Sequence, residues 1–286
     1  MTSRCRSTHV RVRGVCLHYL EWGDPGDPLL LALHGTGDSC RTWESFAAMA
    51  SRSFHIIAMD QRGHGDSDWI VPPAYSGEEY VADLEAFIEE LDLEKPILLG
   101  HSMGALHCTT YASMKPGNVT ALIHVDIEPC PPAWNRRYLC GLYEKLPESY
   151  ESEDDFVAQL RQTAPYAREE LLCRLASSSL EQSDDGRLAY KGDREVYAHF
   201  DPEYDLRERL RFIHTPALVV RGEESRVMSS REARKMARAL SGGKLVEIPR
   251  ATHPVHLDNP EAFGRAVLDF LEGLGLMSGR RGSRTR

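Results

Sequence analysis

Ile97-Leu98-Leu99-Gly100-His101-Ser102-Met103-Gly104 sets the architecture of this chain. Its three leading apolar residues do not alternate with polar ones, as suits a strand buried on both faces. A Gly-x-Ser-x-Gly follows, and a helix is expected from Met103, which gives the strand–turn–helix context of a nucleophile elbow. The serine of such an elbow has a strained backbone, and neighbouring chains pass too close for a Cβ, so glycines flank it. Ser102 is therefore the candidate nucleophile. The competing reading is a chance tight turn.

Outward from the elbow, the same kind of apolar run recurs at residues 29–33, 54–59, 121–125 and 217–220. Residues 10–20 instead alternate, as a strand pair with one covered face would, and the Gly/Asp/Pro cluster at 23–28 is a turn signal. Between the runs, Tyr80, Val81, Leu84, Phe87, Ile88 and Leu91 recur at helical spacing, as do Phe263, Val267, Phe270, Leu271 and Leu274. Strands alternating with helices predict an α/β fold, a mostly parallel central sheet flanked by helices. The alternation stops near Glu128 and resumes near Phe212. The chain thus divides into a core of residues 1–127 and 213–276, an insertion over 128–212, and a basic tail over 277–286.

A serine hydroxyl is a poor nucleophile until a base takes its proton. In this chain order the base is a late histidine. Arg250-Ala251-Thr252-His253-Pro254-Val255-His256 supplies it, after the strand-like residues 245–248 and before the last helix. His253 is the candidate and His256 its rival. His101 is the variable position of the elbow, while His34 and His64 fall in glycine-rich turns.

With these residues in place the sequence resembles the α/β-hydrolases over residues 10–128 and 212–275. Four motifs stand in the expected order: Leu33-His34-Gly35-Thr36-Gly37-Asp38-Ser39, the stretch from Asp60 to Asp68, the elbow at Ser102 and the histidine loop at His253. The resemblance implies that residues 128–212 form a mostly helical cap. It also implies that the backbone N–H groups of Thr36 and Met103 make an oxyanion hole, to which the Thr36 hydroxyl could add. The acid departs from the common pattern. Many family members carry an Asp three residues beyond the strand-end glycine, where this chain has Ser225. The alternative family position, about 24 residues past the nucleophile, holds Asp126. Its surroundings, Asp126-Ile127-Glu128-Pro129, look like those of small cytosolic esterases that also lack the later Asp. Asp126 is the leading acid, with Glu224 and Glu128 as alternatives and a capping role as the bland reading.

The activity so implied is a serine hydrolase, carboxylesterase-like, cleaving an ester, lactone or thioester of a small molecule, with no cofactor and no metal required. A serine at the elbow argues against haloalkane dehalogenases and epoxide hydrolases of this fold, which use an Asp there. Carbon–carbon bond hydrolases, perhydrolases and non-catalytic small-ligand receptors remain open. For the Asp60–Asp68 stretch the expectation is a structural turn, with Asp60 and Arg62 satisfying buried backbone or each other. Trp69, Trp134, Tyr138, Tyr143, Tyr166, Tyr197, Phe200 and Tyr204 are candidates to line an apolar pocket or to pack within the cap.

Composition agrees. The 286 residues are 42% hydrophobic and 27% charged, as in soluble globular chains, with a net charge of −9 that argues against nucleic acid as a partner. No apolar stretch reaches the roughly 20 residues of a membrane span, and the first thirty lack a secretory signal. Seven cysteines without a CxxC pair suggest reduced thiols, hence a cytoplasmic protein without a zinc site. Arginines crowd both ends, at Arg4, Arg6, Arg11 and Arg13 and at Arg280, Arg281, Arg284 and Arg286, and are expected to be frayed, solvated termini. Monomer or oligomer is left open.

Overall fold

Each non-alternating apolar run becomes a strand covered on both faces. In chain order the strands are β1 (Arg6–Val12), β2 (Val15–Trp22), β3 (Leu29–Leu33), β4 (His55–Met59), β5 (Ile97–His101), β6 (Ala121–Val125), β7 (Ser149–Tyr150), β8 (Leu180–Gln182), β9 (Leu188–Tyr190), β10 (Ala217–Gly222) and β11 (Lys244–Ile248). This is a computed structural model, describing residues 5–134, 137, 141, 146–198 and 205–277. Eight strands form one sheet in the order β1-β2-β4-β3-β5-β6-β10-β11. β2 is antiparallel to both of its neighbours, and every other pair is parallel. The central strands β5, β6 and β10 are buried at every residue, whereas β11, at the edge, is mostly half-buried.

The α-helices bounded within the described residues are α1 (Glu44–Ala50), α2 (Gly77–Glu90), α3 (Met103–Met114), α4 (Glu153–Thr163), α5 (Glu169–Ser179), α6 (Glu195–Ala198), α7 (Ser230–Ala239), α8 (Val255–Asp258) and α9 (Pro260–Gly273). α2 starts where Ser76 caps the N–H of Glu79, with Glu78 and Glu79 placed favourably against the helix dipole. α9 starts with Asn259 capping Ala262 and with Pro260 in its first turn. One face of the sheet packs on Leu84 and Phe87 of α2, Tyr111 of α3 and Met236 of α7. The other packs on Phe46 of α1 and on Phe263, Val267 and Phe270 of α9. Each such fully buried side chain contributes about 1.5–3 kcal/mol. Among the described residues no helix is long and apolar enough to cross a membrane.

The chain between β6 and β10 packs α4 and α5 around Phe156, Leu171, Leu172 and Leu175. It also contains a three-stranded antiparallel sheet, β7-β9-β8, which the reading of this insertion as mostly helical did not include. Strands of two or three residues are too short to show an alternation. Leu257 of α8 belongs to the same apolar cluster, so the insertion is anchored on the segment just after His253.

The expectation of a frayed amino end is corrected for its described part. Arg6 lies in β1 and pairs with Glu21 at 2.6 Å, and Arg13, at the β1–β2 turn, reaches Asp83 at 2.7 Å. Carboxylates on β2 and α2 hold these arginines, and pairing with β2 orders the strand. Arg4, the arginines after residue 277 and Cys140 lie outside the described residues. Cys5, Cys16, Cys40, Cys108, Cys130 and Cys173 are free thiols.

Candidate active site

Ser102 stands between β5 and α3 with φ 50° and ψ −120°, a left-handed backbone costly for a residue with a Cβ. The surroundings over-determine it. Its N–H donates to Val125 O of β6 at 2.9 Å. A Cβ at Gly104 would lie 2.5 Å from the carbonyl oxygens of both Leu33 and His34, and one at Gly100 would lie 2.4 Å from Gly104 O. Both glycines are therefore required by the close approach of backbone, not by flexibility. The side chain is buried but for 7%, and it faces the histidine loop.

His253 follows β11, and its ring reaches back over the carboxyl ends of β5 and β6. Nε2 is 3.0 Å from Ser102 Oγ and Nδ1 is 2.8 Å from Asp126 Oδ2. Asp126, the residue after β6, is fully buried and also left-handed, at φ 54°. Its Oδ1 accepts the Gly222 N–H at 3.0 Å, and its Oδ2 accepts the Ser225 hydroxyl at 2.5 Å. The proton positions follow from this network. Ser225 Oγ already accepts the N–H groups of Val227 and Met228, so its own hydrogen goes to Asp126. A carboxylate offers only acceptors, so His253 donates from Nδ1 and keeps a lone pair on Nε2 facing the serine.

Ser225, which carries no charge, stands where many relatives of this fold have the acid. The structure puts its hydroxyl on the oxygen that binds His253. The signal was its place three residues beyond Gly222, where many relatives of this fold carry an Asp. The other acids lie elsewhere. Glu224 is exposed and accepts the Tyr166 phenol at 2.7 Å, and Glu128 accepts the Ser229 N–H at 3.0 Å. His256 is buried, stacks on Trp43 with ring centroids 4.5 Å apart, and bonds Thr42. Burial above all lowers its pKa to about 3.

Thr36 follows β3 on a loop held by the His34 ring, which donates to Gly35 O at 2.7 Å and accepts the Gln61 N–H at 3.0 Å. A Cβ on Gly35 would lie 3.1 Å from the Ser102 Cβ, so this loop runs directly against the serine. Met103 is the first residue of α3, where backbone N–H groups lack intrahelical partners and the helix dipole favours negative charge. Asp60 is a buried hub for His18 and for the backbone of Cys40 and Asp66, while Arg62 pairs with Asp83 rather than with Asp60. Of the aromatic candidates, Trp69 and Trp134 are half-exposed, and Tyr138, Tyr143, Phe200 and Tyr204 lie outside the described residues. A cleft between Glu128, Trp134, Arg207 and Lys235 includes neither Ser102 nor His253.

Comparisons with known proteins bear on the fold and the family. The chain is 28% identical over 273 residues to 2-(acetamidomethylene)succinate hydrolase of Mesorhizobium japonicum, covering 93% of this chain and 95% of that one. It is 26% identical to epoxide hydrolase A of Mycobacterium tuberculosis, covering 93% and 97%. A crystal structure of E-2-(acetamidomethylene)succinate hydrolase superimposes with a TM-score of 0.86 at 27% identity, over 94% of this chain and all of that one. The model of the alpha/beta hydrolase family matches residues 29–266, and the chain belongs to that family.

Proposed function

We propose that the protein is a serine hydrolase that cleaves a carboxylic ester, lactone or thioester through an acyl-enzyme on Ser102. The observation that carries this reading is the unbroken hydrogen-bonded series Ser102–His253–Asp126, with the Nε2 lone pair directed at the hydroxyl. As Ser102 Oγ attacks the carbonyl carbon, its proton passes to His253 Nε2. Asp126 stabilises the resulting imidazolium. The N–H groups of Thr36 and Met103 receive the oxyanion, and being fixed beforehand they need no reorganisation as charge develops. His253 then protonates the leaving alcohol or thiol. Next it takes a proton from water, which attacks the acyl carbon and frees the acid and Ser102. The Thr36 hydroxyl is a further donor to the oxyanion. Residues 128–212 serve as the lid over a small-molecule substrate.

Epoxide opening, suggested by the similarity to epoxide hydrolases, has the serine at position 102 against it. The similarity to 2-(acetamidomethylene)succinate hydrolase supports a second reading, in which the same residues cleave an acidic substrate that is not a plain ester. Purified protein should hydrolyse short nitrophenyl esters and be labelled at Ser102 by a fluorophosphonate. Absence of both, in folded protein, rules out the first reading. Labelling without ester turnover supports the second.

A further inference from the structure

Beside the proposed catalytic residues lies a second cluster that the hydrolytic mechanism does not use. The ligand-capable atoms of Asp38, His101 and His256 lie within 4.8 Å of one another. His101 and His256 are 5% and 1% exposed, and the Nδ1 atom of each is buried without a hydrogen-bond partner among the described residues.

The surrounding bonds fix what those nitrogens carry. His101 Nε2 faces the carbonyl oxygen of His253 at 3.1 Å. A carbonyl only accepts, so the hydrogen is on Nε2 and Nδ1 is a bare lone pair. His256 Nε2 lies 2.6 Å from the Thr42 hydroxyl, a group that can accept as well as donate. With Thr42 as the acceptor of Nε2–H, His256 Nδ1 is a lone pair as well, and it has no partner among the described residues. In that tautomer two unpartnered ring lone pairs and a carboxylate belong to one side-chain cluster. A water has two hydrogens and cannot satisfy all three, whereas a cation can.

We propose that Asp38, His101 and His256 bind a divalent transition-metal ion, Zn2+ in the first instance, and that the bound ion suppresses the reactivity of Ser102. The second half rests on the serine-hydrolase reading; the first does not. Two imidazoles and a carboxylate form a donor set suited to zinc, with a fourth position left for water. Each histidine donates its other ring N–H to an oxygen, as metal-bound histidines do to fix their tautomer and orientation. Ligand atoms of tetrahedral zinc stand about 3.4 Å apart, so the trio must contract, and half-buried Asp38 is the member with room to move. A Cβ on Gly35 would press to 2.8 Å from His101 Nδ1, so that position keeps the approach to the nitrogen clear. The His101 and His253 rings lie 4.6 Å apart, so a dication on His101 would oppose formation of the His253 imidazolium.

A second trio, His18, Cys40 and Asp60, does not compete. His18 Nδ1 bonds Asp60 Oδ2, His18 Nε2 bonds Ser7, and the remaining Asp60 oxygen takes the Cys40 N–H. Its polar atoms are already satisfied by one another.

The test is equilibrium dialysis of the chelator-stripped full chain against Zn2+, with Co2+ spectra on the same protein. One ion per chain is expected, lost in Asp38→Asn and in His256→Gln and retained in Cys40→Ser, with no thiolate charge-transfer band from cobalt. Asp38→Asn is nearly isosteric, so a folding failure of His256→Gln leaves the test intact. No saturable binding, or binding unaffected by Asp38→Asn, overturns the site. Zinc should also slow fluorophosphonate labelling of Ser102 by about tenfold or more. Zinc binding through these residues with an unchanged labelling rate overturns the inhibitory role. If Ser102 is never labelled, even without zinc, the hydrolase reading fails while dialysis still judges the site.

Discussion

Exchanging Asp126 for Asn, alone and together with Ser225→Asp, separates the charge of the acid from its place in the chain. Asp126 receives donors on both oxygens: Gly222 N–H on Oδ1, and Ser225 O–H and His253 Nδ1–H on Oδ2. An amide has one oxygen, so in either orientation its NH2 meets a donor. Facing Gly222, it leaves a buried donor unsatisfied, costing about 1–3 kcal/mol of stability. Facing His253, it moves the ring proton to Nε2, and the serine loses its base. Aspartate-to-asparagine at the acid of a serine protease triad lowers kcat by about 10⁴, or about 5 kcal/mol in the barrier, and the same loss is expected here. Ser225 Oγ lies 2.5 Å from the Asp126 oxygen that holds His253, itself 2.8 Å from the ring nitrogen. An aspartate at 225 extends one bond further than the hydroxyl, so its carboxylate can occupy the vacated position. The double variant should regain about 100-fold in kcat, about 2.7 kcal/mol, over Asp126→Asn. The assay is nitrophenyl ester hydrolysis on variants whose thermal unfolding stays cooperative. A single variant within tenfold of the parent, or a folded double variant no faster than the single, would refute the reasoning.

Glu224→Gln should change kcat by less than about twofold, since its partner is an exposed phenol; a loss comparable to that of Asp126→Asn would move the acid past β10. Gly104→Ala drives a Cβ to 2.5 Å from two backbone carbonyls, and should cost about 3 kcal/mol, read from urea unfolding; an unchanged midpoint contradicts the close-approach argument. Arg62→Met removes the partner of buried Asp83, which keeps only Arg13, and should destabilise by about 3 kcal/mol, whereas Arg62→Met/Asp83→Leu should recover most of that; no recovery would show that packing, not the orphaned charge, sets the cost. Burial above all lowers the pKa of His64 and His107 to about 3 and of His124 to about 4. Their unfolded values near 6.5 mean that the unfolded chain binds more protons below that pH, so stability present above pH 6.5 is lost on acidification. At pH 5 the loss is about 2 kcal/mol for each histidine as an upper bound, and equal unfolding free energies at pH 7.5 and 5 would contradict their neutral burial.

Several features of this protein are local in the chain and so were legible in its sequence. A strand covered on both faces writes itself as an unbroken apolar run, as at residues 97–99 and 121–125, and a helix with one covered face repeats every three or four residues, as from Tyr80 to Ile88. The elbow is also local: the glycines at 100 and 104 are there because backbone passes within reach of a Cβ. The short strands of the insertion were not legible, because two or three residues carry no period.

What only the tertiary structure decided is which distant groups share a small volume. Asp126, Glu128 and Glu224 all lie near strand ends, and one-dimensional spacing does not distinguish them. The left-handed turn at Asp126 aims its carboxylate at His253, while Glu224 faces outward to Tyr166. Ser225 acquires its place from the parallel pairing of β6 and β10, which brings their carboxyl ends together, and from the turn after Gly222, which carries residue 225 back onto Asp126. The bare nitrogens of His101 and His256 depend on the His253 carbonyl and the Thr42 hydroxyl, groups far from them in sequence. Local patterns reflect which face of an element is buried, a property that repeats along the chain; a site is a matter of distances and proton positions between elements, which close only when the sheet assembles.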